Sequence, residues 1–194
     1  MSRIYNLSAG PAILPPEVFE RAATAVRELK RDAHADAAPG IGMSLLEISH
    51  RSPEYEAIHD RAIELCHEVL GIPRTHRVLL LQGGASLQFA MLAMNLREAG
   101  KPAAYVDTGV WSQKAIAESQ GLGETLTVAS SAATNYDRIP AFPDAASYAH
   151  ASYLHITTNN TIFGTEYAEI PQAEGGVPLV IDFSSHAGSR PMAL

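Results

Sequence analysis

Two kinds of hydrophobic pattern alternate along this chain: short unbroken apolar runs, and apolar residues that recur every three or four positions. The first kind predicts strands buried on both faces, the second amphipathic helices. Pro16 opens a helix whose apolar face is Val18, Ala22, Val26 and Leu29 and which should end near Arg31. From Asp32 to Gly42 the residues are small, polar or turn-forming, the composition of a flexible surface connection. Ser52 then caps a helix begun by Pro53; Tyr55, Ile58, Ala62, Leu65 and Val69 form its predicted buried stripe, and Gly71 with Pro73 stops it.

The stretch from Val78 to Asn95 organises the rest. Val78 to Leu81 reads as a buried strand, Gly83-Gly84 as a sharp turn, and Leu87, Met91 and Met94 recur at helical spacing. Ala103 to Asp107 is a second strand, Thr108-Gly109 a turn, and Trp111 opens a helix through Ala115, Ile116 and Glu118. Glu124 to Ala129 reads as a strand, Tyr136 to Pro143 as a loop with a strand-like edge, and Ala151 to Thr157 as a further buried strand. A polar turn follows at Thr158 to Gly164, and Val177 to Ser185 closes the pattern with an apolar strand that delivers Asp182 at its carboxyl end. Strands alternating with helices predict an α/β fold, a mostly parallel sheet flanked by helices.

Composition adds little except exclusions. With 194 residues, 46% hydrophobic and 18% charged, the chain is long enough for one domain with a real core. No apolar run approaches the ~20 residues that span a bilayer, and the first residues lack the apolar core of a signal peptide, so the expectation is a cytoplasmic protein without a membrane partner. A formal charge of −7 with scattered Lys and Arg argues against nucleic acid as a partner. The single cysteine, Cys66, lies on an apolar helix face and reads as a core filler.

Four features carry candidate chemistry, each beside a plainer alternative. The amides of Ala85, Ser86 and Leu87 begin a helix without intrahelical acceptors, so a phosphate fits there; equally, Gly-Gly after a strand is an ordinary turn. Trp111, the only tryptophan, is expected beyond the carboxyl end of a strand, where open α/β sheets bind ligands; it could also be a core anchor. Asp182 can cap a following helix or hold a pyridinium nitrogen, the partner that lets pyridoxal phosphate act as an electron sink. His50-Arg51 stands just before a helix cap, where the guanidinium fork can take a carboxylate or phosphate or simply remain solvated.

Taken in order, Ser8-Ala9-Gly10-Pro11-Ala12 with Leu14-Pro15, Met43 to Arg51, Gly83 to Phe89, Val106 to Trp111, Asn159 to Gly164, and Asp182-Phe183-Ser184-Ser185 with Ser189-Arg190-Pro191 resemble the phosphoserine aminotransferase family, pyridoxal-phosphate enzymes of fold type I. The resemblance implies that Ala85 and Ser86 hold the cofactor phosphate, Trp111 stacks on the pyridine ring, Thr161 bonds its phenolic oxygen and Asp182 pairs with the ring nitrogen. His50 and Arg51 would bind the distal anion of the substrate. The implied reaction moves an amino group from glutamate to 3-phosphohydroxypyruvate, giving phosphoserine and 2-oxoglutarate for serine biosynthesis; related members act in pyridoxine synthesis. A homodimer is implied as well.

The chain departs from the family pattern in four ways. Ser86 stands where some members carry an arginine, Ala9 replaces a serine, and the connection from Asp32 to Gly42 looks longer. The family's Schiff-base lysine follows the Asp-Phe-Ser-Ser segment by more residues than this chain has, so it is expected beyond Leu194. On this reading residues 1 to 194 are a partial large domain, incomplete at its carboxyl end and inactive alone. Two rivals remain, another fold type I enzyme and a non-catalytic module that binds a phosphorylated ligand or a partner chain.

Overall fold

A computed structural model describes residues 4–8, 12–31 and 38–190. Ala9 and most of the long connection, residues 32–37, lie outside the described residues, as does Pro191. The chain divides into two compact units, one up to Leu79 and one from Leu80 onward.

The first unit contains α1 (Pro16–Arg27) and α2 (Pro53–Leu70). The sequence places the start of both and the end of α2 correctly, and for α2 local chemistry explains why. The Ser52 side chain accepts a hydrogen bond from the Tyr55 amide at 3.3 Å, and Gly71 closes α2 in the left-handed conformation at φ 67°. Two expectations fail. Helix α1 ends at Arg27, because from Leu29 the backbone turns to pair with residues 41 and 43: Leu29 donates to Met43 O at 2.8 Å and Ile41 donates to Leu29 O at 2.9 Å. The predicted buried stripe of α2 is not buried either, for neither helix has a buried residue and Val69 is 71% exposed, whereas Leu29 of the α1 face is buried beyond the end of its helix. Cys66 is free and only partly buried. An amphipathic pattern expresses a demand for a partner surface; it does not supply one.

The second unit begins with α3 (Ala85–Leu96), then β1 (Ala103–Asp107), α4 (Val110–Gln120) and β2 (Thr125–Ser130). A short helix α5 (Ala145–Tyr148) precedes β3 (Leu154–Thr157). The two-residue strands β4 (Asn159–Asn160) and β5 (Thr165–Glu166) pair as an antiparallel hairpin, and β6 (Leu179–Asp182) completes the sheet. The main sheet has the order β2-β1-β3-β6 with every neighbouring pair parallel. Strand β1 is buried throughout because both faces are covered. Ala104, Val106, Leu154 and Ile156 pack with Tyr148, Ala151 and Val177 on one face; Ala103, Tyr105 and Tyr153 pack with Phe89 of α3 and Ala115 of α4 on the other. At the amino edge Arg97 ties the end of α3 to Ser119 (Oγ at 2.6 Å) and Thr125 (3.3 Å).

Two strand expectations are corrected. Val78 to Leu81 joins no ladder among the described residues, and Leu79 is 69% exposed, since an apolar run becomes a strand only when another strand accepts its hydrogen bonds. Tyr136 to Pro143 has no strand-like edge and runs as loop.

Candidate active site

The amino end of α3 is uncapped by any side chain. Gly83 adopts φ 88°, a left-handed turn in which a Cβ would collide with the Leu87 side chain, and Gly84 then leads into the helix. The Leu87 amide is not free, contrary to expectation: it donates to Gly84 O at 3.0 Å, as does Gln88 at 3.2 Å. That tight first turn leaves the exposed amides of Ala85 and Ser86 without a protein acceptor among the described residues, and they carry the positive end of the helix dipole. Phe89, in the second turn, packs edge-on against the His155 ring at 6.1 Å. This sets the second turn of α3 beside His155 of β3.

The turn after β1 presents Trp111. Buried Asp107 directs it: Oδ1 accepts from the Gly109 amide at 3.3 Å and lies 3.0 Å from Ser112 Oγ, while Oδ2 accepts from Ser130 Oγ at 3.0 Å and Tyr136 OH at 2.8 Å. Ser112 Oγ in turn accepts from the amides of Thr108 at 2.8 Å and Gly109 at 3.0 Å. Gly109 has φ 144°, and a Cβ there would stand 2.8 Å from Phe163 and 3.1 Å from Asn160 Oδ1, so only glycine lets the two turns approach. Across that contact Trp111 Nε1 donates to Thr161 Oγ1 at 3.1 Å. The Lys114 ammonium lies 4.6 Å from the centre of the indole, a cation–π contact on one face.

Asp182 ends β6 opposite Thr157 of β3. No helix follows it among the described residues, so the capping alternative is not realised. Its Oδ1 accepts from the Ser184 amide at 3.1 Å and the Ser184 hydroxyl at 2.6 Å, an Asx turn that fixes the carboxylate and leaves Oδ2 without a protein partner among the described residues. Its carbonyl receives the Thr158 amide at 2.9 Å and hydroxyl at 3.1 Å. Beneath this pair lies His155, 1% exposed with both ring nitrogens unpartnered; burial pushes its pKa down to about 4, against a smaller opposing effect of Asp182, so it is neutral at pH 7. Arg190 pairs with Glu166 at 2.6 Å and donates to Tyr167 O at 3.1 Å, bracing the segment after β6.

Trp111 and Thr161 therefore meet at the carboxyl edge of adjacent parallel strands, the edge at which β6 ends in Asp182. This donor set suits a phosphorylated aromatic heterocycle: two amides for the phosphate, a flat indole face, a hydroxyl, and a carboxylate for a basic ring nitrogen. His50 and Arg51 belong to the first unit, both exposed, in a turn where Ser49 Oγ accepts from the Arg51 amide at 3.2 Å. Asp107, Ser112, Tyr136 and Phe163 were not singled out from the sequence. Their roles depend on partners far away in sequence, 29 positions for Tyr136 and Asp107, and a run of residues does not display such pairings.

Comparison with known proteins adds the following. The family model for aminotransferase class-V matches residues 4–194. The phosphoserine aminotransferase of Geobacillus kaustophilus is 47% identical over 191 residues, covering 98% of this chain and 50% of the relative. Among solved structures, the phosphoserine aminotransferase from Bacillus circulans subsp. alkalophilus superposes with a TM-score of 0.84 at 42% identity, covering 99% of this chain and 50% of that one. The PLP-bound phosphoserine aminotransferase from Trichomonas vaginalis gives 0.81 at 34% identity, covering 98% and 51%. The chain thus spans about half the length of the curated relatives it matches.

Proposed function

The chain belongs to the class-V aminotransferase family, and from that premise we propose that it forms the cofactor-binding part of a phosphoserine aminotransferase, which moves an amino group between glutamate and 3-phosphohydroxypyruvate with pyridoxal phosphate as cofactor. The observation that carries this reading is that Trp111, bonded to Thr161, and Asp182 stand at the same carboxyl edge of adjacent parallel strands. When bound, pyridoxal phosphate supplies the electron sink for bonds made and broken at the amino-bearing carbon.

The chain's own residues hold and orient. The Ala85 and Ser86 amides donate to the phosphate, whose charge the α3 dipole favours. Trp111 offers the ring the indole face opposite Lys114. Thr161, which already accepts from the indole N–H, keeps its own proton for the phenolic oxygen. Asp182, held by Ser184 through Oδ1, uses Oδ2 to keep a proton on the ring nitrogen. Arg51, with His50, takes the distal anion of either substrate through its planar fork. On this reading none of the chain's lysines engages the cofactor covalently; Lys101 pairs with Glu98 at 2.5 Å and Lys114 lies over Trp111. Residues 1 to 194 alone are therefore expected to transfer no amino group. A homodimer belongs to the same proposal.

The test is an amino-acceptor panel on the full-length, cofactor-loaded protein with glutamate as donor. 3-Phosphohydroxypyruvate should give the highest kcat/KM; a higher value for pyruvate or oxaloacetate overturns the assignment. In the same assay Arg51→Ala should raise KM for both anionic substrates about ten- to a hundred-fold, since losing a charge-assisted hydrogen bond costs about 1.5–3 kcal/mol. Unchanged KM values remove Arg51 from the site.

A further inference from the structure

We propose that Tyr136 is a positioning residue: with Asp107 it closes a ring of contacts that fixes Trp111 and Thr161, and so sets the affinity of the site for its flat, phosphorylated cofactor. This rests on the cofactor reading above and assigns the control to a residue outside it.

The ring can be followed atom by atom. Tyr136 OH donates to Asp107 Oδ2 at 2.8 Å. Through Oδ1 Asp107 holds the Gly109 amide and stands beside Ser112 Oγ, which fixes the residues on either side of Trp111. The indole N–H reaches Thr161, and two residues further on Phe163 returns to Tyr136 with ring centres 4.7 Å apart. Phe163 also presses on the space where Gly109 lacks a Cβ.

Tyr136 is 7% exposed and takes φ 58°, a left-handed conformation that is costly for a bulky aromatic residue and follows Asn135 at φ 55°. Such a conformation persists only where surrounding contacts over-determine it. Here Gln113 Nε2 donates to the phenol oxygen at 2.5 Å, which leaves the phenol proton directed to Asp107. Burial and the Asp107 carboxylate push the phenol up to about 12, so that proton stays in place.

The test uses Tyr136→Phe in the full-length protein, keeping the ring and removing only the hydroxyl. Pyridoxal phosphate affinity is measured by absorbance titration. Trp111 is followed in the cofactor-free protein as the 5-fluorotryptophan ¹⁹F resonance that Trp111→Phe abolishes. Tyr136→Phe should weaken cofactor binding about ten-fold and shift that resonance, while adding less than about two-fold in a Trp111→Phe background, because residues acting through one another are not additive. Additive effects on affinity, or an unmoved resonance, overturn the proposal. If Trp111→Phe leaves affinity unchanged, the cofactor reading has failed and the resonance alone decides whether Tyr136 positions Trp111. Should Tyr136→Phe not fold, Gln113→Ala removes the donor to the phenol, with about a three-fold loss of affinity and the same resonance shift expected; neither change appearing overturns the proposal.

Discussion

The two units of this chain handle their apolar residues differently. In the first, α1 begins at a proline and α2 is punctuated by a serine cap and a left-handed glycine, yet neither buries a residue along its length. In the second, β1 is buried from end to end, and its Asp107 receives hydrogen bonds from partners in three separate segments. Local signals are enough to start and stop a helix, whereas a fixed site needs segments distant in sequence to satisfy one another's polar groups.

If that contrast is right, substitutions in the second unit should be felt far more than those in the first. The largest effect belongs to Asp182→Ala, which removes the carboxylate proposed to face the ring nitrogen; turnover of the full-length holoenzyme should fall by several orders of magnitude with its fold intact by circular dichroism. Near-normal turnover would reduce Asp182 to its Asx turn with Ser184.

Next comes a matched pair of glycines. Gly109→Ala introduces a Cβ 2.8 Å from Phe163 at φ 144° and should cost about 3 kcal/mol in denaturant unfolding. Gly71→Ala, at φ 67° with nothing within 4 Å, should cost only about 1 kcal/mol. Equal costs would erase the difference between a crowded turn and an open one.

His155 sharpens the comparison through pH. Its folded pKa of about 4 lies below the ordinary value of 6.5, so between these values the unfolded chain binds a proton that the folded one refuses. Its contribution is full above pH 6.5 and is lost as the pH falls toward 4, a loss on the order of 3 kcal/mol. Urea unfolding at pH 7, 5.5 and 4 should show a shallower acid decline in His155→Leu than in the parent, and parallel declines would contradict the burial effect. The smallest change is Ser52→Ala, which removes the α2 cap and should cost about 1 kcal/mol in the same assay; a loss above about 2 kcal/mol would mean that α2 depends on more than its local signals.

The same contrast governs what could be read from the sequence. The α/β order, the span of β1, the cap at Ser52 and the strand-end position of Asp182 were legible because each is written in a few consecutive residues. The failures share a cause. Val78 to Leu81 and the stripes of α1 and α2 announce a need for burial without naming the surface that meets it. At the site, Trp111 and Thr161 were named, but not the Nε1–Oγ1 bond that joins them across 50 positions. Tyr136 was read as part of a loop, because a positive φ at a tyrosine leaves no mark in composition.

The common direction of the four strands has an evolutionary consequence. The turns at residues 108–112, 158–164 and 183–190 all follow the carboxyl ends of strands, while Arg97 is bonded to Ser119 and Thr125 at the other edge. Descendants of such a scaffold could exchange one chemistry for another by rewriting those three turns, without touching the ladder that keeps the protein folded. Drift should thus be permissive at Thr127, the exposed middle of the outer strand β2, and severe at Gly109, where a single methyl group would close the gap through which two turns meet.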